Sequence, residues 1–343
     1  FAIEVPSNES GTDHPGTAYD CGGDAGNVFY ADTYFNSTFD YGGIHRALVA
    51  TNTSAAYDVL INNTPQWDIV FIMVNTTMYG GTGGAFATFS RHELSIEIAI
   101  HEIGHSFSGL ADEYWFSGWE TANMTQESNP LFNKWSPWLY DNGIGIYQYE
   151  SPGNNWYRPH QDCKMRYLGP PFCSVCAEKT IISVYSILDP IDTYFPENLE
   201  LTVPASGIEY FSINPIPTVP SFITIDWFID EQTINHGSTS IELEASLYSE
   251  GEHEVKVVVK DLSELVRNDP LNLLESEIIW SLMIVCNTIG DLNSDGMVNI
   301  QDVILLVNDV IGTLADVTCA DLNDDGEINI LDIVQLVNII LDT

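Results

Sequence analysis

His101, Glu102 and His105 stand in the order H-E-x-x-H within ELSIEIAIHEIGHSFSGLADEY, Glu93 to Tyr114. On a helix, positions i and i+4 share one face, so His101 and His105 can offer imidazole nitrogens to a single ion. Glu102 lies beside them, close enough to hold a water on that ion. Zinc suits this set, because it lowers the pKa of a bound water toward neutrality and the carboxylate can then take the proton. Two imidazoles leave a catalytic zinc one protein ligand short. Gly109 is a natural residue for the chain to turn back on, and Asp112 and Glu113 follow it in L-A-D-E-Y. Asp112 is the expected third ligand and Glu113 its rival. The competing reading is a buried helix with two hydrogen-bonded histidines and a solvated acidic turn. The glycine turn and the acidic pair weigh for the metal.

The elements that must position these residues can be read outward from them. Leu94, Ile96, Ile98, Ala99, Ile100 and Ile103 predict a buried helix around the motif. Upstream, Trp67 to Val74 (WDIVFIMV) is an unbroken apolar run that predicts a buried central strand. Asp40 to Ala50 and Ser54 to Asn62 read as short helices, and Phe1 to Phe39 is polar with few elements. Tyr79 to Gly84 is glycine-rich, but without G-K-[ST] or a nearby lysine it is no phosphate loop. It reads instead as a tight turn into an edge strand bordering a cleft, where a substrate backbone can add. Trp115 to Pro159 reads as long loops with short helices, its tryptophans packing a loop-rich lobe rather than binding sugars.

Four separate stretches then carry a resemblance. GGTGGAFATFS (Gly80 to Ser90), HEIGHSFSGLADEYW, CKMRY (Cys163 to Tyr167) and PFCSVC (Pro171 to Cys176) occur in order over the first half of the chain. Together they resemble the bacterial immunoglobulin-A peptidase family of zinc metallopeptidases, which is similar to the metzincins. The resemblance implies a secreted endopeptidase with one catalytic Zn2+, His101 and His105 as ligands, and Glu102 as general base. Gly109 and Asp112 each fall one place later than in the metzincin pattern H-E-x-x-H-x-x-G-x-x-H/D. Met165 looks like the methionine turn beneath such a site, where an unbranched thioether fills an irregular apolar floor. Tyr167 resembles the tyrosine that in some metzincins reaches toward the ion, where a phenol could donate to an oxyanion. The alternative is that Tyr167 is an ordinary packing residue. His160 is a further candidate for transition-state contact.

The chain carries 49 acidic against 10 basic residues, a net charge of −39. That balance repels nucleic acid and anionic membranes and invites cations, calcium above all. A salty habitat is another cause of such acidity. A hydrophobic content of 45% places the chain among globular proteins, and 343 residues leave room for two or three cores. No apolar run approaches the roughly eighteen residues of a membrane span. The chain begins at Phe1 rather than Met, as a trimmed product would.

Cys21, Cys163, Cys173 and Cys176 belong to the first half, and Cys286 and Cys319 flank the last segment. Disulfides are the default in a secreted chain. One among the first four is expected to pin the segment around Met165, and Cys286 with Cys319 to close the C-terminal module. Cys173-x-x-Cys176 could hold a metal, but no second C-x-x-C accompanies it.

From about Ile187 the texture changes to short alternating or apolar runs separated by turns, which predicts an immunoglobulin-like antiparallel β-sandwich with Trp227 in its core. His236 and His253 read as surface residues. The last segment is duplicated: DLNSDGMVNIQD from Asp291 and DLNDDGEINILD from Asp321 lie thirty residues apart. Each is a calcium loop of the EF-hand kind, with glycine at position 6 and a carboxylate at position 12. The first offers Asp291, Asn293, Asp295, the Met297 carbonyl, Asn299 and Asp302. The second offers Asp321, Asn323, Asp325, the Glu327 carbonyl, Asn329 and Asp332. Each is followed by an apolar helix with no entering helix before it, which resembles the type I dockerin module. That resemblance implies two structural Ca2+ ions and docking to a cohesin-type protein partner. The segment has no lysine or arginine, so its folding is expected to depend on the ion.

The expected fold is therefore multidomain: a zincin-like α+β catalytic domain (1–186), an all-β immunoglobulin-like sandwich (187–286), and a small α-helical dockerin-like module (287–343). The expected function is a secreted zinc endopeptidase acting on extracellular proteins. The alternative is a non-catalytic adhesion or scaffold protein that uses the peptidase-like domain only for binding. The intact Glu102 favours the enzyme, because a binding-only relic has no need of a general base.

Overall fold

A computed structural model describes residues 1–20, 28–115, 118–150, 154–286, 288–293, 296–312, 319–323 and 325–342. They form two units, residues 1–184 with 264–268, and residues 185–263 with 269–343.

The first unit is organised around a helix, Ser95–Ser106, that carries the H-E-x-x-H residues. Glu97 lies in its first turn, where a carboxylate favours the helix dipole. Ile98, His101, Glu102 and Gly104 form its buried face. Ile96 is 72% exposed, so the helix is amphipathic rather than buried all round. Gly109 adopts φ +63°, in the left-handed region that favours glycine. There the Gly109 N–H donates to the His105 carbonyl and the Leu110 N–H to that of Gly104, turning the chain back.

Beside this helix lies a three-stranded sheet. Ala87–Ser90 is its centre, pairing in parallel with Phe71–Val74 and antiparallel with Gly81–Thr82. The expected central strand Trp67 to Val74 is therefore corrected. Only Phe71–Val74 is a strand, and it is an edge, with Phe71 and Met73 exposed while Ile72 and Val74 are buried. Its apolar run alternates between a core face and an open face, which composition alone does not reveal. The glycine-rich stretch does form an edge strand. Gly81 is bridged on its outer side by Ala47, leaving Thr82, Gly83 and Gly84 to line a cleft.

Helix Thr53–Asn63 matches expectation, capped by Asn52 through the Ala55 N–H. The helix expected over Asp40 to Ala50 does not form. Asp40, Gly42 and Gly43 take φ of +60°, +63° and +80°, leaving one 3₁₀ turn, Tyr41–Gly43, and a short strand, Val49–Ala50. Within Trp115 to Pro159, Trp135, Trp138 and Trp156 are buried, so these three pack the lobe as expected, while Trp115 and Trp119 are exposed. Helix Ser174–Tyr185 follows.

The second unit holds two sheets around one core. Ile208–Pro215 is flanked by Ser240–Glu244 and Ile191–Phe195. The other sheet runs Gln232–His236, Ile223–Ile229, Gly251–Asp261, Glu275–Val285, Glu200–Pro204, with only the last pair parallel. Phe211, Ile213 and Leu243 from one sheet meet Trp227, Val257 and Trp280 from the other, the packing of a sandwich. Trp227 is fully buried, stacked 5.9 Å from Trp280, and its indole N–H donates to the Ser238 carbonyl. His253 is corrected from the surface to the interior: it is buried, one ring nitrogen 2.7 Å from Asp230 and the other 2.8 Å from the Ser249 carbonyl. His236 is exposed, as expected, beside Asp226.

In the duplicated segment, helices Ile300–Val310 and Ile330–Asp342 pack through Val303, Leu306 and Leu336. Cys286 and Cys319 are disulfide-bonded, as expected. The disulfide expected among Cys21, Cys163, Cys173 and Cys176 is not found among the described residues, where Cys163, Cys173 and Cys176 are free thiols. Cys21, the fourth of that group, lies outside the described residues.

Candidate active site

His101 and His105 project from successive turns of the helix, their Nε2 atoms 3.2 Å apart. Asp112, brought back by the turn at Gly109, places Oδ1 3.1 Å from His101 Nε2 and 3.2 Å from His105 Nε2. Each ring is fixed from behind: His101 Nδ1 donates to the Lys164 carbonyl at 2.9 Å and His105 Nδ1 to the Leu110 carbonyl at 2.7 Å. With Nδ1 so engaged, both Nε2 lone pairs converge with one carboxylate oxygen, the arrangement in which a metal's ligands are oriented by backbone partners. This donor set fits zinc, for which bonds of about 2.0–2.1 Å at tetrahedral angles put ligand atoms roughly 3.4 Å apart.

Glu113, the rival ligand, points elsewhere. It is fully buried, 3.2 Å from Cys176 Sγ, with Asn123 donating to it at 3.1 Å.

Electrostatics follow the geometry. Burial opposes the charged form of His105, but the hydrogen bond and charge of Asp112 outweigh it and raise the imidazole to about 9. Burial likewise works against the Asp112 carboxylate, and the two imidazoles more than reverse it, holding it well below the usual range. Burial dominates at Glu102 and raises its carboxyl, although the histidines and the Gly83 N–H pull the other way. A carboxylate of raised basicity beside this His–Asp group is suited to accept a proton.

The cleft in front of the cluster has a volume of about 700 Å³. Glycine is required along one wall: a Cβ on Gly83 would lie 2.4 Å from His105 Cβ, and one on Gly81 2.9 Å from Glu102 Oε1. Met165 does not line the cleft but lies behind the helix, fully buried, where its Sδ would meet a Cβ on Gly104 at 2.6 Å. Tyr167 lines the same cleft, half exposed, its ring 4.8 Å from the Arg166 guanidinium. His160 is not among the residues lining the cleft; its ring packs against Gly143 and its Nδ1 accepts from the Asp162 N–H.

Three cleft residues escaped sequence reasoning. The guanidinium of Arg46 lies 5.1 Å from the Tyr114 ring, and Tyr114 stacks on His101 and hydrogen-bonds Asp112. Tyr79 is raised by burial, with Arg46 and Glu102 both close enough to act on it. Tyr114 carried a signal, standing two residues after Asp112, and Tyr79 heads the stretch expected to border the cleft, but neither side chain's role was read.

The two C-terminal loops share the hydrogen bonds made by their first, ninth and twelfth residues. Asp302 Oδ1 accepts the Leu292 and Asn293 N–H groups and Oδ2 that of Asn299; Asp332 does the same for Leu322, Asn323 and Asn329. Asp291 accepts from Gly296 and Asp321 from Gly326, both glycines in the left-handed region. Asn299 and Asn329 donate to the Met297 and Glu327 carbonyls, and Asp325 accepts from the Glu327 N–H. Asp295 lies outside the described residues. A carboxylate oxygen has two lone pairs, so Asp302 Oδ2 and Asp332 Oδ2, each with one N–H partner among these bonds, keep one with which to bind an ion.

Comparison with known proteins bears on both ends. Residues 1–139 match the family model for IgA Peptidase M64, and residues 289–341 that for the type I dockerin domain. The stretch similar to the M64 peptidases contains His101 to Asp112, and the stretch similar to type I dockerins contains both duplicated loops. The CKMRY and PFCSVC stretches lie beyond the matched peptidase region. No curated protein matches the chain. Among solved structures, it is similar to the Clostridium thermocellum CbhA fibronectin(III)-like modules at 11% identity, covering 28% of this chain and 98% of that one, with a TM-score of 0.21. No helix among the described residues is long and apolar enough to cross a membrane.

Proposed function

We propose that this chain is a zinc-dependent endopeptidase of metzincin-like type, secreted, and tethered through its C-terminal module to a cohesin-type protein partner. Its proposed parts are a catalytic domain over 1–186, an immunoglobulin-like sandwich over 187–286 acting as spacer, and a two-calcium docking module over 287–343. The observation that carries the catalytic reading is the convergence of His101 Nε2, His105 Nε2 and Asp112 Oδ1 within 3.1–3.2 Å of one another.

In this reading His101, His105 and Asp112 hold the ion. Bound zinc would polarise the scissile carbonyl and acidify water. Glu102 takes the proton from the attacking water and later delivers it to the departing amine. The carbonyls of Lys164 and Leu110 keep both rings in the tautomer that leaves Nε2 free. Met165 supports the helix from below. Thr82, Gly83 and Gly84 let an extended substrate backbone approach the helix closely. Tyr167 is the phenol proposed to donate to the developing oxyanion. The calcium ligands are those of the two loops, Asp291 to Asp302 and Asp321 to Asp332.

A mixed protein substrate digested by the purified chain tests this, with and without chelator, alongside Glu102→Gln. Expected are loss of cleavage with chelator, recovery with zinc, and a fall of several orders of magnitude in the variant with zinc content unchanged. Undiminished cleavage by Glu102→Gln would remove the mechanism.

A further inference from the structure

We propose that Cys163, Cys173, Cys176 and Glu113 form a second, structural zinc site, separate from the histidine cluster. The four ligand atoms all lie within 4.8 Å of one another. Cys163 and Cys176 sulfurs stand 3.7 Å apart, and Cys176 Sγ lies 3.2 Å from Glu113 Oε1. Zinc–sulfur bonds of about 2.3 Å at tetrahedral angles separate two sulfurs by roughly 3.8 Å, whereas a disulfide brings them to about 2.05 Å. The Cys163–Cys176 spacing matches the first of these distances and is far from the second.

Burial makes the case stronger. Glu113, Cys163 and Cys176 have no solvent exposure and Cys173 only 7%. Glu113 Oε2 is buried and accepts no hydrogen bond among the described residues. An acidic group so enclosed is costly without a cation to meet it. The three sulfurs are held by two segments, Cys163 before Met165 and the C-x-x-C pair at the start of helix Ser174–Tyr185. Thiolates at a helix N-terminus are favoured by its dipole, and the Cys173 N–H already donates to Cys163 Sγ at 3.3 Å. Three sulfurs and one carboxylate are a closed set suited to a borderline-soft tetrahedral ion with no open position for chemistry.

The site would clip together the segments that build the first one. Glu113 follows Asp112 directly, and its N–H donates to the Met165 carbonyl at 2.7 Å. Cys163 precedes Lys164, whose carbonyl orients His101. An ion here would fix both the third ligand of the histidine cluster and the backbone behind His101.

X-ray absorption and elemental analysis of the full zinc-loaded chain, with His101→Ala for comparison, test the proposal. Expected are about two zinc ions per chain and a zinc–sulfur shell at about 2.3 Å that survives in His101→Ala. Cobalt reconstitution should give thiolate-to-metal charge-transfer absorption, which a two-histidine, one-aspartate site cannot produce. Cys176→Ser should abolish that band while His101→Ala retains it. Because Cys176→Ser can fail to fold, the sulfur shell of the unsubstituted protein is the deciding measurement. Absence of that shell in zinc-replete protein would overturn the proposal. So would mass spectrometry showing a disulfide that involves Cys163, Cys173 or Cys176.

Discussion

Gly83→Ala isolates the contact between the glycine-rich wall and the catalytic helix. The added methyl would sit 2.4 Å from His105 Cβ and 2.9 Å from the Glu102 carbonyl oxygen, against ordinary contact at 3.4 Å or more. Neither neighbour is a flexible tip: one is the first carbon of a ligand side chain, the other backbone. Wall or helix must therefore retreat by about 1 Å, an overpacking cost of about 1–3 kcal/mol. Displacing Glu102 or His105 by that distance from a working geometry should lower kcat/KM about 10²-fold. Gly84→Ala is the control, since nothing lies within 4 Å of its Cβ. Thermal denaturation and peptidase assays on the two variants give the answer. Should Gly83→Ala match the unsubstituted protein in both, the close approach is not what sets the helix in place.

Other expectations concern the rest of the molecule. Trp227→Ala removes a fully buried ring stacked on Trp280 and should destabilise the sandwich by about 3–5 kcal/mol, measured by chemical denaturation. Asp302→Ala strands three backbone N–H groups at the first loop, and should lower the calcium-dependent helical signal of the C-terminal segment by circular dichroism, as chelation does. His253 has a raised pKa: burial opposes its charge, but Asp230 and the Ser249 carbonyl prevail. A raised histidine contributes stability that is complete below its unfolded pKa of about 6.5 and is lost as pH rises through the folded value. The melting-temperature gap between the unsubstituted protein and His253→Gln should accordingly be widest in mild acid and narrow toward alkaline pH.

The parts of the site that were legible in the sequence are those set by local geometry. The i, i+4 spacing fixes where His101 and His105 point, and Gly109 announces the turn. The choice between Asp112 and Glu113 was not legible, because adjacent side chains diverge and their surroundings come from Cys163 and Cys176, about fifty residues or more away in sequence. Arg46 and Tyr79 were missed for the same reason, being delivered by loops whose paths depend on Ala47 pairing with Gly81. Most sandwich strands were visible through alternation, and Trp227 marked their core. Ile191–Phe195 and Gln232–His236 are the least legible, since several of their residues are exposed and carry a weak apolar pattern. At Phe71–Val74 the composition misled outright, because an edge strand with apolar residues on both faces reads like a central one.

Met165, sealed beneath Gly104, also reports on the state of the helix above it. Peroxide should first convert the exposed Met73, Met283 and Met297 to sulfoxides, leaving Met165 reduced as long as the packing behind the helix stays shut. Once oxidised, its sulfur would carry a polar oxygen into a gap already too small for one carbon. Sulfoxide at this position would therefore mark molecules whose helix had lifted, and would stop it settling back.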